Sequence, residues 1–157
     1  MKSTVSVTTL LSTAILISSA FADRKGDWPG FRGPGGRGIA TDQVTAESWD
    51  ARDAGDKAIR WKTDVPGLGH SSPTIIGNKI FLATAEPASG NAPLDIGRNG
   101  KIAAADDNGE QTWWVLCYDK ATGKELWRKA ACQGAPKATR HAKATHANTT
   151  VSVLSAQ

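Results

Sequence analysis

The sequence predicts an all-β chain in which short strands repeat as a four-stranded unit. Three observations carry this. From Ile59 onward, short alternating or apolar runs are separated by Gly, Pro, Asn and Asp turn signals. Four of the runs pair into two hairpin signals. A faint internal repeat then brings the end of the unit back to its beginning.

The N-terminus reads as an export signal. Met1-Lys2 gives a short positive start, and Val5 to Ile17 is uncharged. Ser18-Ser19-Ala20-Phe21-Ala22 places small residues at Ala20 and Ala22, the pattern a signal peptidase reads. The apolar run is shorter than the ~20 residues of a membrane-spanning helix. No Cys follows it to carry a lipid anchor. Residues 1–22 are therefore expected to be a cleaved signal peptide, and the mature protein to be periplasmic or secreted, with no membrane span.

Residues 23–58 read as a Gly/Pro-rich extended strap whose aromatic anchors are Trp28 and Phe31. Gly33, Gly35 and Gly38 satisfy a formal GxGxxG. A dinucleotide site needs a strand before that motif and a helix after it, and neither is signalled here.

Ile59 to Val65 alternates and is stopped by Pro66-Gly67, so it is expected as a strand. Pro73 to Ile76 runs through Gly77-Asn78 into Lys79 to Thr84, the first hairpin. Thr112 to Tyr118, the turn Asp119 to Gly123, and Lys124 to Lys129 form the second. Between them, 86–111 is polar and aperiodic, and is expected as a long surface insertion.

The repeat is read from two echoes. Ile59-Arg60-Trp61-Lys62 is echoed by Leu126-Trp127-Arg128-Lys129. His70-Ser71-Ser72-Pro73-Thr74-Ile75 is echoed by His146-Ala147-Asn148-Thr149-Thr150-Val151. Four strands lie between, at 73–76, 79–84, 112–118 and 124–130. A four-stranded unit that returns to its own start is the signature of a propeller blade. The echo spacing exceeds the ~40–50 residues of one blade. The insertion 86–111 and the loop 131–145 account for the excess.

The formal net charge of +4 is spread along the chain. The densest basic stretch is 137–146, containing Lys137, Arg140, His141, Lys143 and His146. It holds no aromatic residue to stack a base, so it reads as a solvated loop and not as a nucleic-acid surface. Cys117 and Cys132 flank the second hairpin asymmetrically. With Leu126 opposite Cys117, the two sulfurs are too far apart to bridge, and two free thiols are expected, Cys117 buried.

His70 and His146 each precede the start of an inner strand. Two readings stand: a shared metal or anion site, or loop-fixing hydrogen bonds. The second is favoured because no carboxylate or third His sits at matching spacing. Asp106-Asp107-Asn108 offers oxygens suited to calcium but lies in the polar insertion and reads as a solvated loop. Asn148-Thr149-Thr150 fits the N-glycosylation pattern. No catalytic residue and no metal ligand is assigned, and no cofactor-binding residue can be named.

Tyr118-Asp119-Lys120-Ala121-Thr122-Gly123-Lys124-Glu125-Leu126-Trp127 resembles the blade motif of PQQ-like β-propeller repeats, in which Asp starts the turn, Thr-Gly closes it and Trp docks against a neighbouring blade. The opening Asp27 to Pro34, Trp61-Lys62 and Gly69 to Pro73 also resemble exported members of that family. The resemblance implies a partial β-propeller: about one four-stranded blade plus flanking single strands, with 59–157 an incomplete set of repeats. Ile59 to Val65 would complete a last blade, and a strand near Thr149 would open a second. A lone blade is expected to leave both sheet faces uncovered. Val151 to Gln157 stops within an apolar run, which reads as a truncated or split frame.

Three functions follow from the resemblance. The first is a non-catalytic binding or scaffold module, completed by missing blades and meeting an unknown protein or small-molecule ligand. Exported scaffolds that assist outer-membrane β-barrel assembly are of this kind, although they carry a lipid-anchor Cys absent here. The second is a fragment of a quinoprotein alcohol dehydrogenase using PQQ and Ca²⁺, which would need a vicinal Cys-Cys pair that Cys117 and Cys132 do not form. The third is a truncated, non-functional product.

Overall fold

In the computed structural model the described residues are 25–41, 43–53, 55–89, 94 and 104–153. The expected signal peptide at 1–22 lies outside them, as do the first two residues of the strap and the last four of the chain. The fold is all-β. Strands β1 (Thr74–Ile76), β2 (Lys79–Pro87), β3 (Gln111–Asp119) and β4 (Glu125–Gly134) form one antiparallel sheet in the order β1-β2-β3-β4. Among the described residues there is no α-helix, and the one helical turn is a 3₁₀ turn at Pro34–Gly36. No helix there is long and apolar enough to cross a membrane.

Both expected hairpins form. Gly77 adopts φ 58° in the β1–β2 turn, a conformation a side chain would strain. Across the sheet, Thr74, Phe81, Cys117 and Trp127 make one cross-strand row, and Ile75, Ile80, Tyr118 and Glu125 make the next. Leu126 is left over where Cys117 pairs with Trp127 and Tyr118 with Glu125. Ala131 is left over where Trp114 pairs with Ala130 and Trp113 with Cys132. These two bulges shift β4 by one residue each. The residue opposite Cys117 is thus Trp127, one beyond Leu126. Cys132 lies opposite Trp113, and both thiols are free, Cys117 buried and Cys132 exposed.

The two edges of the sheet are treated differently. Along β1, Trp28 and Ile75 exchange two backbone hydrogen bonds of 2.8 Å each. Farther along the same edge, Leu68 and Ala85 form a second isolated bridge. At the other edge, β4 is exposed along nearly its whole length. Its two bulges and its Arg128 and Lys129 side chains make it a poor template for further pairing.

Several expectations are corrected. Residues 59–65 are not a strand. They alternate as a strand should, but no neighbouring strand offers them a ladder, and a strand exists only by pairing. Residues 147–153 likewise carry no ladder, so the strand expected near Thr149 is absent among the described residues.

The lone sheet does not leave both faces bare. Thr74, Phe81, Ala85 and Cys117 are buried on one face, and Thr84, Leu116 and Tyr118 on the other. Irregular chain covers both. The Thr74 hydroxyl donates to Val151 O at 2.7 Å and Trp113 Nε1 to His146 O at 2.9 Å on the first face. On the second, the Thr84 hydroxyl donates to Pro66 O at 2.7 Å. Of the strap's three aromatics, Trp28 docks on β1 and lies over Gly33, whereas Phe31 and Trp49 are exposed.

Candidate functional site

In an antiparallel meander the β2–β3 connection and the chain leaving β4 emerge at the same end of the sheet. Here they meet. Ala104 and His141 form a bridge, and Ala105 N donates to Arg140 O at 2.9 Å. At the junction, Asp107 is held between Arg140 and His146. Its Oδ2 accepts from Arg140 Nε at 2.6 Å, and its Oδ1 lies 3.3 Å from His146 Nε2. All three side chains are buried, each less than a tenth exposed.

Further bonds frame the cluster. Arg140 NH1 donates to Ala144 O at 2.8 Å and to Ala142 O at 3.3 Å. Gln111 Nε2 donates to Asp107 O at 3.0 Å, while Gln111 Oε1 is buried with no partner. The Trp113 ring stands edge-on to the His146 imidazole at 6.4 Å between centroids. Next to it, the Asn148 side chain accepts from the Thr145 hydroxyl and donates to Thr145 O, which stiffens the turn that carries His146.

This arrangement corrects two sequence expectations. Asp107 is not a solvated loop residue, and the stretch 137–146 is not wholly solvated, since Arg140, Ala142 and Thr145 are buried. The Asp107 carboxylate has each oxygen engaged by a protein side chain, Oδ2 by Arg140 and Oδ1 by His146. Its chemistry is structural: it ties two long irregular segments together, and removing one partner would leave a buried charge uncompensated.

His146 meets a carboxylate, Asp107, that the sequence reading did not pair with it, and the strand whose entry it was expected to fix is absent among the described residues. His70 contributes differently: its residue is exposed, and its backbone N–H donates to Ala147 O at 2.9 Å. The structure thus brings the two echo segments side by side, 70 against 147 and 74 against 151. Among the described residues no group of three or more His, Cys, Asp or Glu side chains is placed to hold a metal ion.

The opposite end of the sheet carries a second constellation. Asp119 Oδ1 accepts from Ala121 N, Thr122 N and the Thr122 hydroxyl at 3.0, 2.9 and 2.8 Å, and Oδ2 accepts from Asn78 at 2.6 Å. The Thr122 hydroxyl, with the turn's backbone N–H groups and Asn78 adding to it, holds the Asp119 carboxyl below its ordinary range. Gly123 closes the turn at φ 73°.

Trp61 is seated on this turn. A Cβ at Gly123 would lie 2.5 Å from Trp61 Cδ2, and Trp61 Nε1 donates to Lys120 O at 3.0 Å. The indole thus lies flat against a surface that only glycine provides. Trp127, its echo, sits on β4, 37 % exposed, 6.0 Å from Phe81 between ring centroids.

The GxGxxG at Gly33 to Gly38 contains the 3₁₀ turn and is followed by irregular chain and not by a helix, so it builds no pyrophosphate cradle. The Asp107–Arg140–His146 cluster had no signal in the sequence: its members lie in polar segments far apart, with no period to link them. No family model, curated protein or solved structure matches the chain.

Proposed function

We propose that the chain is a non-catalytic binding or scaffold module of the exported PQQ-like β-propeller type, contributing one four-stranded blade with flanking single segments. The observation that carries this reading is the Trp61 indole on the Gly123 turn, bonded to Lys120 O. In the resembling family the Trp of the outer strand docks against a neighbouring blade. Trp61 precedes the sheet and belongs to no strand of it, so it acts as the Trp of a preceding unit. Further support comes from the parallel alignment of the echo segments at 70–74 and 147–151. Inner segments of successive blades would lie this way around a common axis.

Export rests on the pattern at residues 1–22. The non-catalytic part rests on the donor set. The residues present do not fit PQQ and Ca²⁺: Cys117 is buried and Cys132 exposed, separated by the hairpin, and Asp107 has both oxygens committed to Arg140 and His146. A titration of the mature chain with PQQ and Ca²⁺, followed by tryptophan fluorescence and by alcohol-dependent dye reduction, tests it. The expected result is neither saturable quenching nor turnover. Quinone-dependent dye reduction would overturn the non-catalytic assignment in favour of the dehydrogenase.

A further inference from the structure

Deamidation of an asparagine asks three things of the chain around it. The N–H of the next residue must be free to give up its proton, its nitrogen must reach the side-chain carbonyl carbon, and water must enter. A following glycine eases the approach, because no Cβ stands in the way and the backbone turns freely. Asn108-Gly109 meets all three conditions. Both residues are exposed and belong to no strand. Among the described residues, neither the Asn108 amide nor the Gly109 N–H has a hydrogen-bond partner. A Cβ at Gly109 would meet nothing within 4 Å.

The other described asparagines are held. Asn78 Nδ2 donates to Asp119 Oδ2 at 2.6 Å, and the next residue, Lys79, starts β2. Asn148 Nδ2 donates to Thr145 O at 2.8 Å, its Oδ1 accepts from the Thr145 hydroxyl at 2.7 Å, and the β-branched Thr149 follows it.

We propose that Asn108 is a site of spontaneous deamidation, and that the reaction releases the Asp107–Arg140–His146 junction. Gly109 N attacks Asn108 Cγ and a C–N bond forms. The Cγ–Nδ2 bond breaks, and ammonia leaves, the proton lost from Gly109 N balancing the one it gains. Water then opens the succinimide ring. Addition at Cγ restores the ordinary backbone with an aspartate side chain. Addition at the backbone carbonyl leaves an isoaspartate, whose main chain runs through the former side chain and is one carbon longer.

That extra carbon falls inside a short, fixed span. Gln111 is anchored in β3, paired with Pro87 on one side and Gly134 on the other, and its Nε2 donates to Asp107 O at 3.0 Å. Residues 108–110 therefore set where Asp107 stands. From there its Oδ2 reaches Arg140 Nε at 2.6 Å and its Oδ1 lies 3.3 Å from His146 Nε2. Lengthening the span moves Asp107 off both partners. The connection before β3 then parts from the chain that follows β4, and the change is one-way.

Purified chain aged at mildly alkaline pH, native and in guanidinium chloride side by side, tests the site by tryptic peptide mapping. Asn108 lies in the peptide 102–120, which holds no other asparagine, so it is read apart from Asn99-Gly100, which lies outside the described residues. The native chain should deamidate at Asn108 within about 3-fold of the unfolded rate, as a loop with almost no opening cost requires. A native rate more than about 10-fold below the unfolded one means that the fold protects Asn108, and overturns the site. Gly109→Ala fits without strain, since Gly109 has no positive φ and its Cβ position is open. It should slow the native reaction several-fold, and an unchanged rate would overturn the succinimide route.

Limited trypsin digestion of the native chain reads the junction. Arg140 is buried while the junction is closed. Cleavage after it should rise at least about 10-fold in the isoaspartate form, the factor that loss of a charge-assisted contact gives the open population. Asn108→Asp adds the charge without the extra carbon and should be cut like the unmodified chain. Equal cleavage of aged and fresh chains refutes the release. Asn108→Asp cut as fast as the aged chain refutes the lengthened span as its cause.

Discussion

Replacing Gly123 by Ala separates two effects that the structure superimposes at one residue. Gly123 sits at φ 73°, where any Cβ is strained, and that Cβ would also lie 2.5 Å from the Trp61 ring. The strain alone costs about 1–2 kcal/mol. Gly77→Ala supplies the control, because Gly77 has φ 58° and nothing within 4 Å of where its Cβ would stand. At Gly123 the methyl group must also lift the indole from its seat. That breaks the 3.0 Å bond to Lys120 O, worth about 1 kcal/mol, and forfeits part of the ring's apolar burial, about 1 kcal/mol more. Gly123→Ala should therefore cost about 2 kcal/mol more than Gly77→Ala. Urea unfolding monitored by circular dichroism measures both from the midpoint at constant slope. In a Trp61→Ala background the excess should vanish, a coupling that a double-mutant cycle reads directly. Equal costs for the two glycines, or an excess that persists without Trp61, would refute the reasoning.

Asp107→Ala leaves the buried Arg140 guanidinium without this carboxylate and should destabilise the chain by about 3–5 kcal/mol, whereas the exposed neighbour Asp106→Ala should change stability by no more than about 0.5 kcal/mol; thermal melts of the two compare them. Asp119 is held ionised by the Thr122 hydroxyl and the turn N–H groups, so its folded pKa lies below its unfolded one. Its stabilising effect is present above the unfolded value and is lost as pH falls through the folded one. The stability difference between the unmodified chain and Asp119→Asn should accordingly shrink as urea midpoints are taken from neutral pH down to and below about pH 4. Burial pushes the Cys117 thiol up while Cys132 is exposed. A thiol reagent near neutral pH should therefore label one cysteine in the native chain and two after unfolding, read by mass spectrometry.

The four strands and both turns were legible in the sequence because their signals are local. Gly77-Asn78 and Asp119 to Gly123 demand positive φ or side-chain-to-backbone bonds at fixed offsets, and β-branched and aromatic residues flank them. Ile59 to Val65 carries the same alternation yet is no strand, since alternation records which residues tolerate burial and not whether a neighbour exists to pair with. The cover on both faces of the sheet was not legible either. It is made by irregular segments at 66–72 and 140–153, whose contacts, such as Thr84 to Pro66 O and Thr74 to Val151 O, leave no periodic trace. Least visible was the Asp107–Arg140–His146 cluster. Polar residues in polar stretches read as solvated, and only the closure of two long connections at one end of the sheet turns them into a buried ion network. The docking of Trp61 was half visible: the echo singled the residue out, but its glycine seat is a three-dimensional fact.

The repeat-built account is tested most directly by the coding DNA beyond the Gln157 codon, read in all three frames. The account predicts further Asp-x-x-Thr-Gly turns with a Trp four residues after the glycine, each able to seat the indole of the unit before it. A stretch with no such turn in any frame would contradict it, and the sheet would then stand as a small β domain of its own.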